Sequence, residues 1–324
     1  MTHAPARTEN NHSQPDGDRL AVTVIGPLTV RRGAVVLDAH SLGGPKPRQI
    51  FEILLLNIGL PVSKARLIDL LWGDAPPREA LTSLESYVSV LRRHLQPGHG
   101  RSGPLRTATG GYLIDRAAVD LDLVRFETLV HEAQGLEPAG AFRLLSSALA
   151  LVTGPLLGDE LRSAWAEEER RRHAVTVAAV RVVAAEAAMA LGRFDEAIRW
   201  SEEVLAGDPL NERAWLSLLS SLERNGHHAE GLRAFAECRA ILNRELGCAP
   251  NPALRQVHAR LLTITAADQS DLSEAVAALL ILNDRLARTS GGTPADSDAP
   301  QSLEAIRHAG LVLSSFLQRV SEAA

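Results

Sequence analysis

Cysteine is nearly absent from this 324-residue chain, and the two present, Cys238 and Cys248, are too few for a disulfide scaffold. The stretch from Met1 to Arg19 is polar and lacks an apolar h-region, so no signal peptide is expected and the implied setting is a reducing cytosol. No run approaches 18 consecutive apolar residues, which predicts no membrane span. The eleven histidines form neither HExxH nor a Cys-plus-His set at metal-ligand spacing, and His227-His228 reads as a solvated turn. GxxxxGK[ST] and GxSxG are both missing. With no residue set for catalysis, the expectation is a chain that is not an enzyme and takes no cofactor.

What is present is a globular composition, 45% hydrophobic, long enough for two domains with a real core. The net charge of -5 hides an uneven distribution. Residues 19–116 hold 13 Lys/Arg against 7 Asp/Glu, whereas 117–324 hold 20 against 29. Only the first part has the sign that suits a polyanion.

Residues 1–18, rich in His, Asn, Pro, Asp and Ser, have little to bury and read as a disordered lead. Ala21 to Gly26, Leu28 to Arg31 and Val35 to Leu37 predict a small antiparallel sheet of three strands. A helix follows over Gln49 to Ile58, stopped by Gly59, and a second over Lys64 to Trp72 with Ser63 as N-cap. A third spans Arg78 to Leu95, where Leu81, Leu84, Val88, Leu91 and Leu95 recur at steps of three and four and define a core face. Its opposite face, with Thr82, Ser86, Ser89, Val90 and Arg93, is slim enough to enter a groove about 12 Å wide. Helix, turn, helix, Pro-marked turn and longer helix is the helix-turn-helix order. Leu105 to Ile114 then reads as a hairpin turning at Gly110-Gly111, a wing from which Arg106 and Thr109 could reach phosphate or the minor groove.

The blocks GPLTV, KPRQIFEILLLNIG, LIDLLWGDAPP, LTSLESYVSVLRRHL and TGGYLID occur in that order. Together they make residues 20–116 resemble the winged helix-turn-helix output domain of the OmpR/PhoB type, in the version similar to the Streptomyces antibiotic regulatory protein (SARP) family. The resemblance implies that the third helix lies in the major groove. It puts Thr82, Ser83, Ser86, Tyr87, Val90 and Arg93 near bases or adjacent phosphates, and Lys46, Arg48, Trp72 and Arg92 at phosphate-contact positions. Val90 departs from the family motif, which commonly has Arg there; Val can still touch a thymine methyl.

From Asp120 the pattern is helical. Val119 to Asp122 leads into a helix ending near Gln134, and further helices span Pro138 to Val152 and Ser163 to Leu191. The run Glu167-Glu168-Glu169-Arg170-Arg171-Arg172 predicts a solvated face of i,i+4 pairs. Gly192 and Gly226, and Ala197 and Gly231, stand 34 residues apart, the period of tetratricopeptide repeats, with Trp215 and Phe235 at supporting positions. Residues 268–288 and 302–321 read as two more amphipathic helices.

The expected fold is mainly α with small β. A lead (1–19) precedes a winged-helix domain (20–116), an all-α tetratricopeptide-like domain (117–265), which the resemblance makes a bacterial transcriptional activator domain, and a helical extension (266–324). The resemblance implies an activator that binds double-stranded DNA at direct repeats near promoters, self-associates as a dimer there, and recruits RNA polymerase holoenzyme to antibiotic-type gene clusters, in the cytoplasm at the nucleoid. The alternatives are a protein-binding adaptor built on the repeat layer and an atypical response-regulator output protein without a receiver domain.

Overall fold

The structure is a computed structural model that describes residues 19–38, 40–99, 103–161 and 163–267, with isolated positions at 279, 310–312 and 314. The lead 1–18 and nearly all of the two helices expected at 268–288 and 302–321 lie outside the described residues. The chain forms two compact units that divide between Leu191 and Gly192, and each is described by itself.

The first unit opens with β1 (Leu20–Thr23), β2 (Thr29–Arg32) and β3 (Val35–Asp38), paired antiparallel so that Val22 faces Val30 and Val30 faces Leu37. Helix α1 (Pro45–Leu56) begins four residues before the expected Gln49. Pro45 and Pro47 are tolerated because first-turn N–H groups have no partner within the helix. A short strand β4 (Val62–Ser63) precedes α2 (Lys64–Trp72), whose first turn is capped by the Ser63 hydroxyl accepting from Arg66 N at 3.1 Å. Then come α3 (Ala80–Leu95), the hairpin β5 (Leu105–Ala108) and β6 (Gly111–Ile114), and a fourth sheet strand β7 (Val119–Leu121).

Phe51, Ile50, Leu54, Leu67, Leu84, Val88, Leu91, Leu105 and Ile114 are buried between the three helices and the hairpin. Leu81 corrects the expectation for α3. It is 49% exposed, because the inward position of the first turn is taken by Ala80. The hairpin is joined by β4, with Val62 opposite Tyr112. Gly111 is required there, since a Cβ would stand 2.1 Å from the Val62 carbonyl oxygen.

Strand β7 was expected only as a lead into a helix; it pairs parallel with β1, Leu20 opposite Val119 and Val22 opposite Leu121. The sheet order is therefore β3-β2-β1-β7. Next come α4 (Asp122–Glu132), α5 (Pro138–Ala150) and α6 (Ala164–Ala190). The Asp122 carboxylate accepts the backbone N–H groups of Val24 (2.9 Å), Ile25 (2.9 Å) and Leu123 (2.8 Å). Burial pushes its carboxyl above the usual range even as those three donors pull it down.

Residues 153–160, between α5 and α6, form a strut along the end of β1. Gly26 N donates to Pro155 O, Leu157 N to Val24 O and Gly158 N to Gly26 O. Gly26 permits this approach, as a Cβ would lie 2.6 Å from the Thr153 hydroxyl. The strut ends on Glu160, which accepts Arg48 Nη2 at 2.9 Å, Gln49 Nε2 at 3.0 Å and the Ser163 hydroxyl at 2.9 Å. Burial would raise the Glu160 carboxyl, but the donors outweigh it and hold it below its ordinary value. Beside it Glu52 is fully buried, 3.5 Å from Arg48 Nε, and burial pushes its carboxyl up to about 8. Arg48 thus pairs with ionised Glu160 while Glu52 holds its proton at neutral pH.

Within the acidic-basic run, Arg171 and Arg172 pair with Glu168 and Glu169 at the surface, as expected. Arg170 pairs with Glu167 in the same way but also turns inward. Its side chain is only 17% exposed and donates to the carbonyls of Leu156 (3.2 Å) and Glu160 (2.6 Å). Helix α6 is long and apolar enough by composition to cross a membrane, yet Val177, Val180, Ala184, Ala185 and Ala188 are buried inside the protein.

The second unit contains α7 (Phe194–Gly207), α8 (Glu212–Arg224), α9 (His228–Leu246) and α10 (252–267). The 34-residue echo is structural: Gly192 and Gly226 have φ of 73° and 78° just before α7 and α9. A Cβ on Gly231 would stand 2.9 Å from Leu261, so α9 and α10 cross closely there. Trp215 is buried with its indole N–H on Pro209 O at 2.9 Å, and Phe235 stacks on His258 with ring centroids 3.9 Å apart.

Replacing Asp122 by Ala strands two buried N–H groups and should cost about 3 kcal/mol of stability, read as a lower urea midpoint. Because the folded state keeps the Glu52 proton and the unfolded state loses it near 4.5, stability should fall as pH rises from about 4.5 to 8. Glu52→Gln should flatten that slope in melting curves recorded across the window.

Candidate nucleic-acid interface

Helix α3 presents Leu81, Thr82, Glu85, Ser86, Ser89 and Arg93 as its exposed face. Apart from Arg93, Leu81 and Glu85 these are small hydroxyl side chains, and Ser89 turns its hydroxyl back onto Glu85 O at 2.9 Å. The face is therefore narrow, and it is flanked by three sets of contacts that fix its angle. On one flank Arg92 reaches the wing, donating from Nε to Leu105 O (3.2 Å) and from Nη2 to the Thr107 hydroxyl (2.7 Å), with its guanidinium 5.8 Å from the Tyr112 ring centroid. On another, half-buried Val90 rests on Gly43, so closely that a Cβ there would be 2.3 Å from Val90 Cγ1. Along the third, Tyr87 stacks with Trp72, centroids 6.5 Å apart, and Lys46 lies 5.6 Å from the Trp72 centroid while donating to Leu71 O at 2.5 Å.

These contacts sort the expected DNA residues. Thr82, Ser86 and Arg93 are exposed on the free face, and Ser83 is half-buried at its edge. Tyr87 and Trp72 are half-buried packing partners at the helix junction. Val90 is corrected from an outward reader to a spacer against Gly43. Arg92, expected at a phosphate-contact position, braces α3 against the wing. Arg48 is corrected more strongly, since its guanidinium is 17% exposed and is held by Glu160 on the strut. On the wing, Arg106 pairs with Asp115 at 2.5 Å, while Thr109 is exposed at the turn beside Gly110. Lys46 keeps an ammonium near the junction of all three helices.

Two residues of this surface were not singled out from the sequence. Glu85 lies on the exposed face between Thr82 and Ser89, and Lys64 at the start of α2 pairs with it at 2.6 Å, which raises the lysine above its ordinary range. The spacing of three and four from Thr82 and Ser89 carried the signal for Glu85. Among the described residues no group of three or more His, Cys, Asp or Glu could hold a metal ion.

Residues 41–114, which hold α1 to the wing, match the C-terminal domain of transcriptional regulatory proteins, and residues 121–262 match the bacterial transcriptional activator domain. The chain is 30% identical to regulatory protein DnrI of Streptomyces peucetius over 75% of its own length and 92% of that protein. It is 31% identical to transcriptional regulator RedD of Streptomyces coelicolor, covering 76% of this chain and 71% of the relative. Regulatory protein AfsR of Streptomyces griseus is 32% identical, but this chain spans only a quarter of its length. Among solved structures, Mycobacterium tuberculosis EmbR, determined with a low-affinity phosphopeptide, superposes with a TM-score of 0.65 at 28% identity, covering 82% of this chain and 72% of that one. The match to DnrI over nearly its full length, together with the two domains matched in this chain, makes this chain a member of the Streptomyces antibiotic regulatory protein family of transcriptional regulators.

Proposed function

We propose that the chain is a sequence-specific DNA-binding activator whose α3 enters the major groove and reads directly repeated sites near promoters. The observation that carries this reading is the free face of α3: narrow, hydroxyl-rich, ending in the exposed cation of Arg93, and braced on its flanks by the wing, Gly43 and Trp72. On DNA, Thr82, Ser86 and Arg93 face base edges, Ser83 sits at the margin, and Lys46 and Thr109 meet the backbone. Glu85, held by Lys64, adds an acceptor suited to a cytosine amino group and a charge that disfavours phosphate.

The rest of the proposal follows from family membership. Residues 20–116 supply DNA binding, residues 117–265 supply self-association on the repeats, and together they recruit RNA polymerase holoenzyme at secondary-metabolite gene clusters. Such a protein works on the chromosome, hence in the cytoplasm at the nucleoid. It does so by binding and carries no catalysis of its own.

Footprinting on the DNA upstream of its own gene and in neighbouring intergenic regions tests the reading. Two protected repeats one or two helical turns apart support it, and an absence of protected DNA overturns it. Arg93→Ala should weaken specific binding by about 1–3 kcal/mol in a gel-shift titration. Glu85→Gln should act in the opposite sense on non-specific DNA, tightening it while flattening base preference at one position of each repeat, as read by binding selection from a randomised site.

A further inference from the structure

Helix α6 buries one face and leaves the opposite one bare. Val177, Val180, Ala184 and Ala188 are buried, whereas Val175 is 71% and Val183 43% exposed, with Ala179 exposed between them. These three stand four residues apart, so they share one stripe of the helix. Arg172 continues the stripe three residues before Val175, and Glu186 three residues after Val183. The order is thus Arg, Val, Ala, Val, Glu at steps of three, four, four and three, and it is symmetric about Ala179. Reversed end for end, the stripe keeps its apolar positions and exchanges its charges. The proposed DNA contacts use none of these residues.

That pattern fits one occupant, a second copy of the same helix. We propose that two chains pair through α6, antiparallel, about a two-fold axis at Ala179. Each Val175 then meets Val183 of the second copy, Ala179 meets its own equivalent, and Arg172 faces Glu186 of the second copy. An isologous contact demands this self-complementarity. Charge selects the direction. A parallel pair would set Arg172 against Arg172 and Glu186 against Glu186, whereas the antiparallel pair makes two unlike contacts. Arg172 reaches Glu168 and Glu169 of its own helix through Nε at 3.0 Å and Nη1 at 3.1 Å, and Nη2 takes part in neither contact, so a third carboxylate can be met without breaking them. Alanine at the axis lets the two helices come to the short end of the usual separation of about 8–10 Å. Helix α6 and the winged helix belong to one compact unit, so the axis relates the two α3 helices as well. A two-fold pair presents them to inverted half-sites, whereas direct repeats need head-to-tail copies. On the direct-repeat reading, on which this consequence rests, the α6 pair holds the chain off its sites and must part before both repeats fill.

The test uses the full chain without DNA, so its failure leaves the DNA reading untouched. In sedimentation a monomer should give way to a dimer as concentration rises to about 100 µM, the range of a weak interface. Val175→Asp, at a position already mostly in solvent, should leave the melting temperature unchanged and weaken the dimer about tenfold or more, because it sets a carboxylate against Val183. In a Cys248→Ser background, with Cys238 buried, Ala179→Cys should close into an intermolecular disulfide under mild oxidation. Val175→Cys mixed with Val183→Cys should cross-link, while neither should do so alone, since like thiols then stand about 12 Å apart along the axis. The proposal is overturned if the chain stays monomeric, as it would with residues 268–324 or nothing covering the stripe, if Val175→Asp dimerises like the wild type, or if Val175→Cys closes with itself.

Discussion

The buried carboxylate of Asp122 is the contact on which the first unit depends. Past Thr23 the β1 strand loses its antiparallel partner, and the N–H groups of Val24 and Ile25 would be buried without acceptors. Asp122 supplies both, and from the first residue of α4 it ties that helix to the N-terminal sheet. The strut completes the other half, taking the carbonyls of Val24 and Gly26 as acceptors for its own N–H groups. Both polar faces of this stretch are thereby satisfied by residues nearly a hundred or more positions later in the chain, which is why residues 117–191 fold into one compact unit with the sheet.

Burial, more than residue type, decides what each cation does. Arg48 and Arg93 both belong to the basic part of the chain, but Arg48 faces a strut carrying Glu160 and is neutralised inside the protein. Arg93 sits on the free face of α3, where no acidic side chain among the described residues pairs with it. Arg92, one residue away, is turned a hundred degrees around the helix and meets carbonyl, hydroxyl and ring on the wing. The affinity for phosphate that charge counting assigns to this region is thus concentrated in fewer groups than the count implies.

Local pattern carried much of the fold in the sequence. The Ser63 cap, the hairpin at Gly110-Gly111, the helices from α2 to α6 and the 34-residue echo are all set by neighbours within a few positions or by a fixed period. Strand β7 escaped because Val119–Leu121 is too short for alternation to register, and its partner is a hundred residues away. The same distance hid the fate of Arg48, whose acceptor is Glu160 on the strut, while Arg170 reaches strut carbonyls that no helical period marks. On α3, the exposure of Thr82, Ser86 and Arg93 was legible from helical phase alone. Val90 was not, because phase places it outward and only the approach of Gly43 from another element covers it.

That covering bears on how α3 can meet a groove. With Val90 against Gly43, Arg92 on the wing and Tyr87 on Trp72, every long side chain of the central turns except Glu85 is drawn sideways, and the surface left facing outward is made of hydroxyls. Such a face permits close approach of the helix backbone to base edges, where Ser and Thr accept more than one base pair and discriminate weakly. Under the proposed docking, discrimination falls on the two charged groups that remain, Glu85 and Arg93, eight residues and just over two turns apart, together with the cost of shaping the groove around a braced helix. In that docking a braced helix resists tilting toward a poor site, so the proposal assigns misfit to the DNA and sequence preference to the sites that deform at least cost.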